Sequence, residues 1–173
     1  MQKDRKQNIY YYLERTLKHS QDVANLIFKV IKNKDLLSFK INDYKLIERA
    51  LNHDNDKFTE NYIEAITDFF HYKDSLMEDR FKEVKYIIDQ HKNTKSHHID
   101  YHLINAIPLS NDDIIEMTCD WISSARKDDT NKIENANIWK DNFVNRNKDI
   151  NLLMQNKDKF FELFDLMEKI IYK

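Results

Sequence analysis

The sequence predicts an all-α, single-domain protein of about six helices. Three observations predict it. Apolar side chains recur at helical spacing along most long segments. Residues suited to helix N-caps stand at the start of several of those segments. No internal repeat or low-complexity linker divides the 173 residues, which suffice for one domain with its own core.

A first helix is expected from about Asn8 to Lys32. Ile9, Leu13, Leu17, Ala24, Ile27 and Ile31 trace one stripe, with Thr16, His19, Val23, Leu26 and Val30 beside it, so His19 faces the interior side. A second helix starts at Asn42, a good N-cap, carries Leu46, Ile47, Ala50 and Leu51, and delivers His53-Asp54 at its C-terminal end. Thr59 caps a third, which runs through Phe70. A fourth runs from about Ser75 to His91, with Phe81, Val84, Ile87 and Ile88 inward. A short helical piece from His97 to Asn105 precedes the break at Pro108. Ser110 or Asn111 caps a fifth helix through about Lys127, holding Ile114, Ile115, Cys119, Trp121 and Ile122. The polar stretch from Lys127 to Asn137 reads as a loop. The last helix, about 149–172, is amphipathic through Leu152, Leu153, Phe160, Phe161, Phe164, Leu166 and Ile170. It bears no chemistry, and its expected task is to cover the core.

Composition limits the function. Basic and acidic side chains nearly balance, 28 against 30, for a net charge of −2. No basic field is available to neutralise an extended nucleic acid, although a compact, locally positive pocket for one small phosphate is compatible with the balance. No apolar run approaches the roughly 20 residues that span a bilayer. The segment MQKDRKQNIYYYLERT lacks the apolar core of a signal peptide, and a lone cysteine, Cys119, can form no internal disulfide. A cytoplasmic protein is expected, in the host cytoplasm if the source is viral. Glycine is absent, which excludes any glycine-rich phosphate loop, and turns needing positive φ must use Asn or Asp. The wealth of Asn, Lys and Ile reads as the stamp of an AT-rich genome.

Side chains that favour metal ions recur in one order: His19, His53-Asp54, His91, His97-His98 and Asp120. Imidazole and carboxylate together suit Mn, Fe, Co, Ni or Zn rather than calcium. Adjacent residues on a regular helix point about 100° apart, so His53 and Asp54 can serve one centre only where the helix ends. Three histidines fall within the polar stretch His91–His98, which is not a core pattern. His102 lies one turn beyond His98. Glu116 and Asp120 stand four apart on one helix, so both carboxylates share a face and repel unless a cation or proton intervenes. Lys57, three residues after Asp54, can reach a phosphate as a point charge, and Arg126 is a further candidate for that contact or for pairing with Glu116. His71 has no partner and reads as structural or exposed.

This order resembles the HD-domain phosphohydrolases, helical metalloenzymes with a helix-borne His, an adjacent His-Asp and a distant Asp. The segments HDNDKF, DQHKNTKSHHIDYH and IIEMTCDWISSARK more closely resemble domain-of-unknown-function family 5662, found largely in phages and bacteria. Its members show His-Asp followed by Ser-Lys-Phe, then His, then Asn-Pro-His-His, then Glu-x-x-x-Asp-Trp. These fall here on His53, Asp54, Lys57, Phe58, His91, His97, His98, Glu116, Asp120 and Trp121. The likeness spans roughly residues 19–126. Asp56 stands where Ser is usual, adding charge near the site. Lys95-Ser96 replaces Asn-Pro, which leaves the backbone before His97 less fixed.

The resemblance implies an HD-like bundle with a metal-site core over about 8–128. One divalent ion would be held by His19, His53, Asp54 and Asp120. A second would use Asp54 as a bridge with His91 and His98, and His97 is a further candidate ligand. Asp54, Lys57 and Glu116 are the candidate catalytic groups; Lys57, Arg126 and His102 are the candidate substrate contacts. The expected activity is metal-dependent hydrolysis of a small phosphoester, a nucleotide foremost, with water activated by one or two ions. Oligomerisation is compatible with this reading. Three alternatives stay open: an HD-type di-iron oxygenase, a non-catalytic viral or mobile-element protein that binds a nucleotide or host protein, and a structural zinc site.

Overall fold

The computed structural model describes residues 2–125 and 135–171. Among these residues all regular structure is helical. The α-helices are α1 (Gln2–Lys32), α2 (Asp43–Asn52), α3 (Glu60–His71), α4 (Glu78–Thr94), α5 (Ile99–Asn105), α6 (Asn111–Ala125), α7 (Ala136–Asn147), α8 (Asn151–Gln155) and α9 (Lys157–Ile171). Short 3-10 turns at Lys34–Leu36, Asn55–Phe58 and Lys73–Ser75 join the earlier ones. No described helix is long and apolar enough to cross a membrane.

The long helix α1 is the spine. It packs against α2, α3, α6 and α9, while α3 pairs with α4 and α4 leads to α5. Its Val23, Leu26, Ile27 and Val30 are buried with Leu46 and Ala50 of α2 and Ile114, Ile115, Met117 and Ile122 of α6. Asn42 caps α2 as its sequence position predicts, its side chain accepting from the Lys45 amide at 3.2 Å. At α6 the cap is a reciprocal box. Ser110 Oγ accepts from the Asp113 amide at 3.2 Å, and Asp113 Oδ2 accepts from the Ser110 amide at 2.8 Å.

The structure corrects the expected inventory of helices in three places. Helix α1 begins at Gln2 rather than Asn8; residues 2–7 are all polar or charged, so no apolar stripe marks these first turns in the sequence. Helix α7 was not anticipated. Its Ala136, Trp139 and Phe143 are buried, but Ile138 beside them is exposed, so its apolar residues do not form a clean stripe. The expected last helix is two, broken at Asn156 (φ −103°, ψ 9°), whose amide turns back to the Leu153 carbonyl. In α9 Phe160, Leu163, Phe164, Leu166 and Met167 are all buried and join the core. Around it Trp121 stacks on Phe160 at 5.4 Å between centroids, and Phe143 lies 4.8 Å from Phe160.

Candidate metal centre

Four helices converge on one polar interior. His19 comes from the middle of α1, His53 and Asp54 from the end of α2, His91 from the last turns of α4, His97 and His98 from the turn before α5, and Asp120 from α6. His19, His53, Asp54, His91, His97 and Asp120 are all buried; His98 is partly exposed.

The end of α2 makes this possible. Helix α2 stops at Asn52; His53 turns to φ −56°, ψ 124°, and Asp54 takes the left-handed conformation at φ 59°, ψ 18°. A non-glycine residue there carries a cost of about 1–3 kcal/mol, and Asp tolerates it better than most. The reversal lets two adjacent side chains reach one place, which a continuing helix would forbid. The following 3-10 turn then brings Lys57 back onto Asp54, with Nζ 2.7 Å from Oδ2.

The two oxygens of Asp54 face different sets of rings. Near Oδ2 lie His19 Nε2 at 3.6 Å and His53 Nε2 at 3.5 Å. Asp120 Oδ1 joins them, 2.8 Å from His19 Nε2 and 4.0 Å from His53 Nε2. Near Oδ1 lie His91 Nε2 at 3.2 Å and His97 Nε2 at 3.3 Å. His98 Nε2 completes this side, 2.8 Å from His91 Nε2. His53 Nε2, His97 Nε2 and Asp54 Oδ1 are buried without a hydrogen-bond partner in the protein. Each such atom costs about 1–3 kcal/mol, so three aimed at one centre need a shared partner. Donors about 2.1 Å from a common ion lie roughly 3–3.5 Å apart. Three of the seven separations above, 3.2, 3.3 and 3.5 Å, fall in that range and the other four lie between 2.8 and 4.0 Å; the imidazole and carboxylate donors suit a divalent transition metal.

Behind each of four rings stands an acceptor. His19 Nδ1 lies 3.1 Å from Ser123 Oγ, and His91 Nδ1 lies 2.9 Å from Asp56 Oδ2. His53 Nδ1 and His97 Nδ1 lie 3.0 and 3.2 Å from the same atom, Glu116 Oε1. An acceptor at Nδ1 keeps the proton there and leaves the Nε2 lone pair for a cation. A third layer follows. Arg49 donates to Glu116 Oε2 at 3.1 Å and to Asp113 Oδ1 at 2.6 Å.

The electrostatics agree. Burial opposes the charge on Asp54, but the rings of His91 and His97, then Lys57 and His53, outweigh it and hold the carboxyl well below its usual range. Burial likewise opposes Glu116, yet His53 and His97 bring it down to about 2. Burial disfavours the charged ring of His97, but Asp54 and Glu116 push it up to about 9. His98 goes the other way, to about 3, through burial and then the positive neighbours His97 and His91.

Two expectations meet a different arrangement. Glu116 stands behind the rings: its Oε1 lies against His53 Nδ1 and His97 Nδ1, and its Oε2 accepts from Arg49. His102 does not line the centre either. It is fully buried, with Nε2 2.8 Å from the Ser96 carbonyl and Nδ1 3.1 Å from the Ile107 carbonyl. That ring sits between the backbone before His97 and the backbone after α5. Arg126 lies outside the described residues. His71 is exposed, its ring 5.5 Å from that of Tyr12.

The profile of a family of unknown function, DUF5662, matches residues 8–166. The chain belongs to that family. All seven converging residues, and the Asp56, Arg49, Asp113, Glu116 and Ser123 that back them, lie inside the DUF5662 match. No curated protein and no solved structure matches the chain.

Sequence reasoning missed Arg49, Asp113 and Ser123. The signal was present. Asp113, Glu116, Asp120 and Ser123 are spaced three, four and three apart, one polar stripe along a helix otherwise rich in apolar residues. Arg49 stands four before His53, on the same side of α2. Tyr62 was missed too; its ring packs edge-on against His91 at 5.7 Å, and burial raises its phenol above the ordinary value.

Proposed function

We propose that this protein is a metal-dependent hydrolase of a small phosphoester, a nucleotide foremost, built on an HD-like centre. One observation carries the reading: a single buried carboxylate, Asp54, offers one oxygen to His19 and His53 and the other to His91 and His97. Such a carboxylate is suited to bridging two ions. One or two divalent ions, when bound, supply Lewis acidity toward a phosphoryl oxygen and acidify water for attack at neutral pH.

The chain's own groups have definite tasks. His19, His53, Asp54 and Asp120 would hold one ion; Asp54, His91, His97 and His98 would hold the second. Lys57, partly exposed on Asp54, presents a point charge to a non-bridging phosphate oxygen. Lys95, paired with Asp56 at 3.3 Å, adds a second positive group beside His91. Two lysines beside one centre suit a compact phosphate. The near-neutral charge of the whole chain supports a small substrate over a polymer.

The test is elemental analysis of protein purified without a histidine tag, followed by phosphate release from nucleoside monophosphates and cyclic nucleotides. Metal-dependent turnover abolished by Asp54→Ala is the expected result. Unchanged turnover in that variant overturns the mechanism. A di-iron absorption spectrum with oxygen uptake moves the activity to oxygenation, and tight binding of a nucleotide without turnover moves it to sequestration.

A further inference from the structure

Three backing groups serve the rings of the centre, and they are not alike. Ser123 backs His19 alone, and Asp56 backs His91 alone. Glu116 backs two rings through one atom, Oε1, at 3.0 Å from His53 and 3.2 Å from His97. Those two rings lie near different oxygens of Asp54. His53 turns its Nε2 toward Asp54 Oδ2 at 3.5 Å, and His97 turns its own toward Asp54 Oδ1 at 3.3 Å. The centre is therefore joined twice, in front by Asp54 and behind by Glu116.

We propose that Glu116 is a shared positioning residue, fixed by Arg49, that sets the affinity of both ion positions at once. The inference rests on the metal reading above. Its physics is simple. Each Nδ1–H donates to Oε1, which fixes ring orientation and directs the Nε2 lone pair inward. Oε1 can accept two donors only if the carboxylate does not rotate. Arg49 prevents rotation by holding Oε2, and Asp113 holds Arg49 in turn at 2.6 Å. Glu116 is buried, so no water readily replaces it as acceptor.

The experiment is a Co²⁺ titration followed by visible absorption, on the full chain. The wild type takes up two ions. Glu116→Gln weakens both binding steps by about 10–100-fold, the usual effect of removing a group that backs a ligand. Ser123→Ala and Asp56→Asn weaken one step each, and not the same step. If Glu116→Gln does not fold by circular dichroism, Glu116→Asp gives the same test: it keeps the charge but falls one methylene short of the rings. A lowered melting temperature with both steps unchanged, or a loss confined to one step, overturns the inference and leaves the metal reading standing. A wild type that binds no ion, or only one, sinks the two-position reading and this inference with it.

Discussion

Helix α6 serves two interiors that are held together by opposite means. On one side its Asp113, Glu116, Asp120 and Ser123 meet histidines and an arginine from α1, α2 and the turn before α5. On the other, Ile114, Ile115, Met117 and Ile122 join the apolar core, and Trp121 packs against the aromatic rings of α7 and α9. The apolar interior rests on burial, which has no direction and tolerates changes of shape that conserve volume. The polar interior is a set of directed contacts in which each group satisfies the next. Its inner face ends in three buried atoms that the protein itself does not satisfy. A chain that only needed a stable bundle would gain nothing from the second interior, since buried charge is seldom worth more than an apolar replacement. The contrast supports the proposal of a metal centre on the polar side.

The sharpest break of the comparison is Asp54→Ala. It should abolish both ion positions and reduce turnover to background while far-UV circular dichroism stays native. Phe160→Ala is the converse. Loss of a fully buried ring costs about 3–5 kcal/mol, which lowers the melting temperature by on the order of 10 °C. Ion affinity of the folded fraction at low temperature should not change, because Phe160 packs in the apolar interior against Trp121 and Phe143.

The pH dependence of ion binding sharpens the contrast further. A ligating imidazole must be neutral, and His97 is pushed up to about 9 before an ion binds. Below that value binding releases the proton, so affinity rises with pH up to about 9 and falls as pH drops. Calorimetry at pH 7.5 in buffers of different ionisation enthalpy should show net proton release. No release would mean that His97 stays outside the ion's reach.

Lys57→Met has a smaller effect of opposite signs. It removes a cation that shares Asp54 Oδ2 at 2.7 Å, so ion affinity rises severalfold, while KM for the phosphoester rises because a phosphate contact is lost. Weaker ion binding in this variant would place Lys57 among the structural groups. The smallest change is Asn42→Ala, which removes the α2 cap for about 1 kcal/mol. Its melting temperature should fall by about 2–4 °C. The ion titration should not move.

Much of this was legible in the order of residues. The apolar stripes of α1, α2 and α6 and the cap at Asn42 follow from spacing alone. So did the identity of the metal-favouring groups, because imidazole in a polar stretch has little packing value and His-Asp at a helix end is free of the 100° rule. Helix α7 was not legible, since its buried residues are few and Ile138 beside them faces out. The break at Asn156 also escaped, because α8 and α9 keep one apolar pattern across it. At the site, sequence could not distinguish groups that face the centre from those that stand behind. Glu116 and Asp120 share one face of one helix, yet only Asp120 reaches inward.

The sequence by itself determined the helical class, the chemistry available and the balance of charge, because periodicity and side-chain type are local properties. The tertiary structure alone decided which nitrogen of each ring faces in, that Asp54 divides its two oxygens between separate sets of rings, and that Glu116 stands behind both. Those are matters of direction over distances of 3–4 Å between groups up to about 100 residues apart. Only the crossing of α1, α2, α4 and α6 supplies such directions.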